Sequence, residues 1–315
     1  MTPGAAQRPG ISASEFRALY ERLRHQHGWG PDDRRGALNN ITPSSVLAAA
    51  TNEVRLGRSV GLAAPVETST TPDNPEPAGH EMTGPPGGHA AASGLDFAMD
   101  RLTMNIHGNA DSHLDALCHV IYDGELYNGV AADTITQDGA TALSVDEAHD
   151  GIVSRGVLLD IPRLRNVPWL EPGDHVHVDE LLAAERAEHV SIGQGDILLV
   201  RVGHRRRRAE LGPWNAAEER AGLHPAAMEL LADRGVAVLG SDGNNDTAPS
   251  AAAGVAFPVH VLAIEALGLY LLDYLQLEDL MRVCGDRSRW TFLCVIAPLR
   301  LPTGTGSPVN PIAII

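Results

Sequence analysis

Between Thr103 and Asp115 the chain alternates in polarity without a break. Thr103, Asn105, His107, Asn109, Asp111, His113 and Asp115 are polar, and Met104, Ile106, Gly108, Ala110, Ser112 and Leu114 between them are apolar or small. Period two predicts a strand with one buried and one polar face. A face that merely meets solvent draws on Thr, Glu, Arg or Ser, whereas this one ends His, Asn, Asp, His, Asp. Imidazole and carboxylate together ligate zinc, manganese or iron. Residues two apart on a strand lie roughly 6.6 Å apart at the backbone, so His113 and Asp115 can converge on one ion. Residues four apart lie roughly 13 Å apart, so a third ligand requires a bend or a helical turn. Asp115 and His119 form an i, i+4 pair if the chain enters a helix there. On spacing alone, a metal or acid–base site and a wetted strand face both remain open.

A second set lies downstream. His260 and Asp273 flank the apolar run VLAIEALGLYLL. A lone histidine in such a run is commonly a hydrogen-bonded core residue. A carboxylate in LYLLDYL is costly unless paired or metal-bound, so Asp273 calls for a partner. Asp242, in GSDGNND, follows a predicted strand, where α/β proteins place active-site loops; an Asx-turn explains it equally well. Cys118 adjoins His119, but neighbouring side chains diverge in strand and helix alike, so it reads as core rather than nucleophile. The run Arg205 to Arg208 reads as a solvated basic loop rather than a phosphate clamp.

The elements that must position these residues alternate between β and α. A helix is predicted from about Ser14 to His25, capped by Ser12 or Ser14, with Phe16, Leu19, Tyr20 and Leu23 on one face. A turn-rich bridge from Trp29 to Pro43 leads to a short helix over 43–51 and strand character over 54–62. Val157–Ile161, Ile197–Val202, Val236–Gly240 and Trp290–Pro298 read as buried strands. Val178–Glu188, His224–Arg234 and Gln276–Arg282 read as helices. The organisation expected is one α/β domain: an N-terminal helical extension with a first strand over 1–62, a long Pro/Gly-rich loop over 63–94, and an α/β core over 95–315. A loop of that length is commonly a lid, a binding loop or an interface arm.

Composition removes whole classes of chemistry. All 24 basic residues are arginine; the 315-residue chain contains no lysine. Schiff bases, pyridoxal-phosphate attachment, Ser–Lys dyads and P-loop phosphate binding therefore fall away. GC-rich coding would produce the same bias, and the exclusion holds either way. The 40 acidic residues give a formal charge of −16, which argues against nucleic acid as a partner. Three cysteines make a disulfide framework unlikely to be the organising device, and the first residues carry no apolar signal. The most apolar stretch, 259–275, is interrupted by His260, Glu265 and Asp273, so no transmembrane helix and a cytoplasmic location are expected.

The stretch Asn109-Ala-Asp-Ser-His113-Leu-Asp115-Ala-Leu-Cys-His119 resembles the hallmark of the putative cyclases that include kynurenine formamidase and isatin hydrolase. That hallmark is His-x3-His-x-Asp-x3-His, and three of its four positions match. WGPDDRRGALNNITP, DALCHVIYDGELYNG and FPVHVLAIEALGLYLLDYLQLEDL are similar to the longer bacterial members, so the resemblance spans most of the chain. It implies a compact α/β domain with a mixed sheet and flanking helices, assembled as a homodimer or homotetramer. It implies that His113 and Asp115 are ligands of a divalent metal, zinc or manganese, with His260 and Asp273 completing its environment. His119, with Asp115, would carry the acid–base chemistry. Asn109 stands where the family has its first histidine, and His107, two residues earlier, is the candidate to compensate.

The activity so implied is hydrolysis of an amide, formamide or lactam in a small-molecule substrate, by water activated at the metal, with His119 as general acid/base. A metal-independent cyclase, dehydratase or isomerase of a biosynthetic pathway is the alternative, and Asn109 is the residue that favours it. Tyr122, Tyr127 and Trp29 are the aromatic residues expected to shape the substrate pocket. A non-enzymatic binding module would tolerate loss of His119, which both enzymatic readings forbid.

Overall fold

The fold is seen in a computed structural model that describes residues 10–26, 28–84 and 94–315. Buried β-branched and leucine-rich runs build its centre. Ile152–Asp160, Ile197–Arg201, Val238–Ser241 and Tyr270–Asp273 pair in parallel in that order, their inward side chains fully buried. Antiparallel strands extend both sides. Thr291–Ile296, Ile312–Ile314 and Ser59–Gly61 follow on one, His113–Asp115 and Gly306–Pro308 on the other, giving a nine-stranded mixed sheet. This is the mixed α/β domain with flanking helices expected from the sequence.

Helices cover the sheet where the sequence places their caps. Ala13–Arg24 starts at Ser12, whose hydroxyl accepts from the Glu15 N–H while Glu15 reaches back to the Ser12 N–H. Its face Phe16, Leu19, Tyr20 and Leu23 is buried. Tyr20 donates to Glu265 at 2.9 Å, tying this first helix to the helical segment that carries His260. Val178–Glu188 has the predicted bounds; Pro43–Glu53, Ala227–Arg234 and Glu278–Arg287 differ from expectation only at their ends.

Three expectations are corrected. The alternating stretch is not one strand: Asp100–Thr103 is a strand, 104–112 turns, and pairing resumes only at His113–Asp115. Thr103 and Asn105 stay exposed, while every residue from Ala110 to Asp115 is buried, so the alternation does not track burial. The expected loop over 63–94 contains the strand Gly79–Met82, paired with Asp100–Thr103 in an exposed hairpin; residues 85–93 lie outside the described residues. Arg205 to Arg208 is no solvated loop. It sits on the helix His204–Leu211, where Arg205 donates to the carbonyls of Ala110, Tyr274 and Leu275, and Arg208 pairs with Asp73 and Glu67. Among the described residues, no helix is long and apolar enough to cross a membrane.

Burial pushes the Glu265 carboxyl up to about 7, and its second oxygen has no partner. A carboxyl raised in the folded state favours folding only while protonated, so this contribution is full below about pH 4.5 and lost as pH rises to about 7. Glu265→Gln is therefore expected to melt above the wild type, by a margin that widens between pH 4.5 and 7 and then stays flat. Thermal denaturation of both proteins at several pH values checks this. Taken from the shift, about 3 kcal/mol is the upper bound.

Candidate metal centre

The site forms at the seam where the parallel strands meet the antiparallel ones. His113–Asp115 runs antiparallel to Tyr270–Asp273, with Asp273 directly opposite His113 and Leu271 opposite Asp115. Side chains two apart share a face, so His113 and Asp115 point the same way. Beyond Asp115 the chain makes a tight turn rather than a helix, with the His119 N–H bonded to the Ala116 carbonyl. This keeps the i, i+4 proximity by another route: His119 Nε2 lies 3.9 Å from Asp115 Oδ1.

Asp115, fully buried, is the hub. Its Oδ1 accepts from His107 Nδ1 at 2.7 Å and lies 3.6 Å from His113 Nε2; its Oδ2 lies 3.5 Å from His260 Nε2 and has no hydrogen bond. His260 Nε2 is also 3.4 Å from Asp273 Oδ2. Among the described residues two groups could hold a metal ion, His107–His113–Asp115 and Asp115–His260–Asp273. The structure thus brings together His107, His113, Asp115, His119, His260 and Asp273.

Hydrogen bonds from surrounding groups fix which ring nitrogens are available. His113 Nδ1 donates to the Asp111 carbonyl at 2.9 Å, leaving Nε2 with a lone pair toward Asp115. His260 Nδ1 donates to Asp246 at 2.7 Å, so its Nε2 faces Asp115 and Asp273. Asp246 also accepts from the N–H groups of Val259 and His260, capping the helical segment that presents His260. Past His260 this segment continues as a π-helix, Val261–Ala266. Asn244 and Asn245 donate to the two oxygens of Asp273 at 2.5 and 2.6 Å. His107 has both nitrogens engaged, Nδ1 with Asp115 and Nε2 with Thr305 at 2.9 Å, so here it orients Asp115. Its ring stacks on His119 at 3.7 Å between centroids.

Charge explains why these residues suit a cation. Burial pushes Asp115 up, but His119, the hydrogen bond from His107 and the nearby His260 imidazole outweigh it and hold the carboxyl well below its usual range. Burial pushes His260 down, but Asp273, Asp115 and Asp246 outweigh it and hold the imidazole well above its usual range. The pocket of carboxylates thus demands positive charge, supplied in this arrangement by a proton. With an orphaned carboxylate oxygen and inward-facing imidazole and carboxylate donors, the residues fit a divalent metal. Burial lowers His119 to about 4, so at neutral pH it is a neutral imidazole, able to accept a proton.

Two other candidates take different places. Asn109 lies at the cavity wall, but its side-chain oxygen accepts from the Tyr274 hydroxyl at 2.8 Å and is not offered to the cluster. Asp242 accepts from the Val202 N–H at 2.7 Å and does not line the cavity, so it ties the loop to the neighbouring strand. Cys118 is buried, its thiol pushed up to about 12 by burial, which suits core rather than nucleophile. Asp246, Asn244 and Asn245 were not singled out from sequence. The signal was the polar density of SDGNNDT after a buried strand, where only Asp242 drew notice.

The cluster opens into a cavity of about 820 Å³, with Val120, Ile121, Tyr122, Val255 and Phe257 among its apolar lining. Of the three aromatics named from the sequence, Tyr122 lines this cavity, whereas Trp29 and Tyr127 line a separate cavity of about 210 Å³ beside Glu265. No described residue of 63–94 lines the larger cavity.

Asp246→Ala is expected to weaken metal binding about 10–100-fold, because His260 would lose the bond that fixes its tautomer. Titration of chelated protein with zinc or manganese measures this, and unchanged affinity refutes it.

The model of the putative cyclase family matches residues 50–245. A search of curated proteins finds no match. Among solved structures, one described as a novel cyclase superimposes with a TM-score of 0.84 at 28% identity, covering 98% of this chain and 100% of that one. Isatin hydrolase A from Ralstonia solanacearum gives 0.54 at 24% identity, covering 87% of this chain and 97% of its own. The Labrenzia aggregata enzyme, bound to benzyl benzoate, gives 0.57 at 20%, covering 86% and 97%. With its family model spanning more than half of the residues, this chain belongs to the putative cyclase family.

Proposed function

We propose that this protein is a metal-dependent hydrolase that cleaves the C–N bond of an amide, formamide or lactam. The observation that carries the reading is Asp115, a buried carboxylate among His107, His113, His119 and His260, one oxygen unsatisfied, at the wall of an open cavity. His113, Asp115, His260 and Asp273 would hold the ion, zinc or manganese. Bound there, such an ion would supply Lewis acidity toward a carbonyl and lower the pKa of water. His119 Nε2 takes the proton from the attacking water and returns it to the leaving nitrogen. His107, stacked on His119 and bonded to Asp115, holds the imidazole and the carboxylate in register. Isatin hydrolases provide a precedent for lactam opening on this fold.

The test is metal content of purified protein, followed by chelation and re-addition, with formanilide and isatin as substrates. Activity that disappears on chelation and returns with zinc or manganese supports the reading. Full activity in metal-free protein overturns it in favour of the alternative, a cyclase, dehydratase or isomerase working by acid–base chemistry alone; Asn109, at the first histidine position of the hallmark and turned to Tyr274, favours that alternative. A homodimer or homotetramer is also proposed. It is supported by the apolar side chains Met82, Leu95, Phe97, Met99 and Leu102 standing exposed on and around the hairpin, and light scattering after gel filtration tests it.

A further inference from the structure

Arg220 is 2% exposed and lines the same cavity as Asp115, His119 and Asp273. Its Nε donates to the Asp246 carbonyl at 3.1 Å, and Nη1 donates to the carbonyls of Ala216 and Ala217 at 2.9 and 2.8 Å. The guanidinium lies over the Phe257 ring, 5.0 Å from its centre, and that ring stands edge-on to His260. Among the described residues no carboxylate forms an ion pair with it. A guanidinium carries five N–H donors; the three on Nε and Nη1 are committed, and the two on Nη2 have no hydrogen-bond partner among the described residues. Buried Arg201, by contrast, is neutralised by Asp160 and Glu278, both at 2.7 Å. Arg205, like Arg220, is held by three carbonyls and no carboxylate, but it does not line this cavity.

A buried cation without a carboxylate is costly, and carbonyl dipoles offset only part of that cost. What remains is a fixed positive charge with two open donors beside the apolar side chains of Val255 and Phe257. The chain's charge of −16 disfavours anions at long range, so an anionic substrate must be recognised locally. We propose that the substrate carries a carboxylate, taken by Arg220 Nη2. Its apolar body lies along Phe257 and Val255, and its amide carbonyl reaches Asp115 and His119. This rests on the hydrolase reading above. In the reaction the C–N bond breaks, water's oxygen joins the carbonyl carbon, and its proton passes to the nitrogen, so a formamidobenzoate yields formate and an aminobenzoate.

The probes are formanilide and the 2-, 3- and 4-formamidobenzoates, with metal-loaded enzyme. At least one formamidobenzoate is expected to exceed formanilide in kcat/KM by about tenfold or more, with the difference in KM, and Arg220→Gln is expected to bring that ratio close to 1. Arg220→Lys, which keeps the charge, should retain part of the preference. Equal kcat/KM for formanilide and all three acids in the wild type overturns the proposal, as does an unchanged ratio in Arg220→Gln; if that variant does not fold, the wild-type ratio decides. If no anilide is hydrolysed, the hydrolase reading fails on its own, and calorimetry with the aminobenzoates against aniline takes over. Tighter binding of an aminobenzoate that is lost in Arg220→Gln then upholds carboxylate recognition, and equal binding by both proteins ends it.

Discussion

Asp115→Asn is expected to remove bound metal and to lower kcat/KM by about a thousandfold or more. Asp115 is the residue common to both groups able to hold an ion, and the imidazoles of His107, His113, His119 and His260 all lie within 4 Å of it. Asparagine has nearly the same shape but offers one neutral oxygen and directs an NH2 at a neighbour. The anionic charge that draws a cation is lost, and so is an acceptor for either His107 or His260. Elemental analysis and turnover of the same preparation check the two effects together, with circular dichroism to establish that the fold persists. A variant that keeps stoichiometric metal and activity within tenfold of wild type would remove Asp115 from the centre of the site.

His119→Ala is expected to separate chemistry from metal binding. Its Nε2 stands 3.9 Å from Asp115, its side chain reaches the cavity, and burial keeps it neutral at pH 7. Those properties suit a proton carrier, whose removal typically costs 10²–10⁴ in kcat. Metal content should stay as in the wild type, because His113, Asp115, His260 and Asp273 remain. His113→Ala is the contrasting case, since it loses a ligand and should lose metal. If His119→Ala also empties the site, His119 is a ligand, and the proton carrier must be sought elsewhere.

Much of this site was legible because its chemistry is concentrated in one segment. His113, Asp115 and His119 occupy neighbouring positions, and their types alone point to metal or acid–base work. Asp273 announced itself as a carboxylate in an apolar run, and the structure places it directly across from His113. The buried parallel strands were legible for the same reason that the core is: continuous apolar runs have no other place to go. What escaped was set by tertiary contact. Period two over 103–115 could not foretell that 104–112 turn and that Ala110 to Asp115 are buried one after another by partners distant in sequence. Arg205 to Arg208 looked like a solvated charge run, since nothing local foretells that Ala110, Tyr274 and Leu275 would turn carbonyls toward it. Asp246 was hidden by ambiguity among Asp242, Asn244, Asn245 and Asp246, which have similar local character and separate roles. The Asn109–Tyr274 pair joins residues 165 apart in sequence and has no local trace.

The seam between the parallel and antiparallel strands has a consequence for how the protein acquires its site. The proposed ligands come from 113–115, 260 and 273, supported by Thr305 near the end of the chain. An ion bound there would close a loop of about 160 residues, and a cross-link over such a length restricts the unfolded chain by several kcal/mol in the chain-entropy picture. Metal occupancy would therefore report on the pairing of His113–Asp115 with Tyr270–Asp273, and a substitution that loosens that pairing would be seen as lost metal. The same geometry makes the site indivisible: a nascent chain that ends before Asp273 has its motif but not the centre.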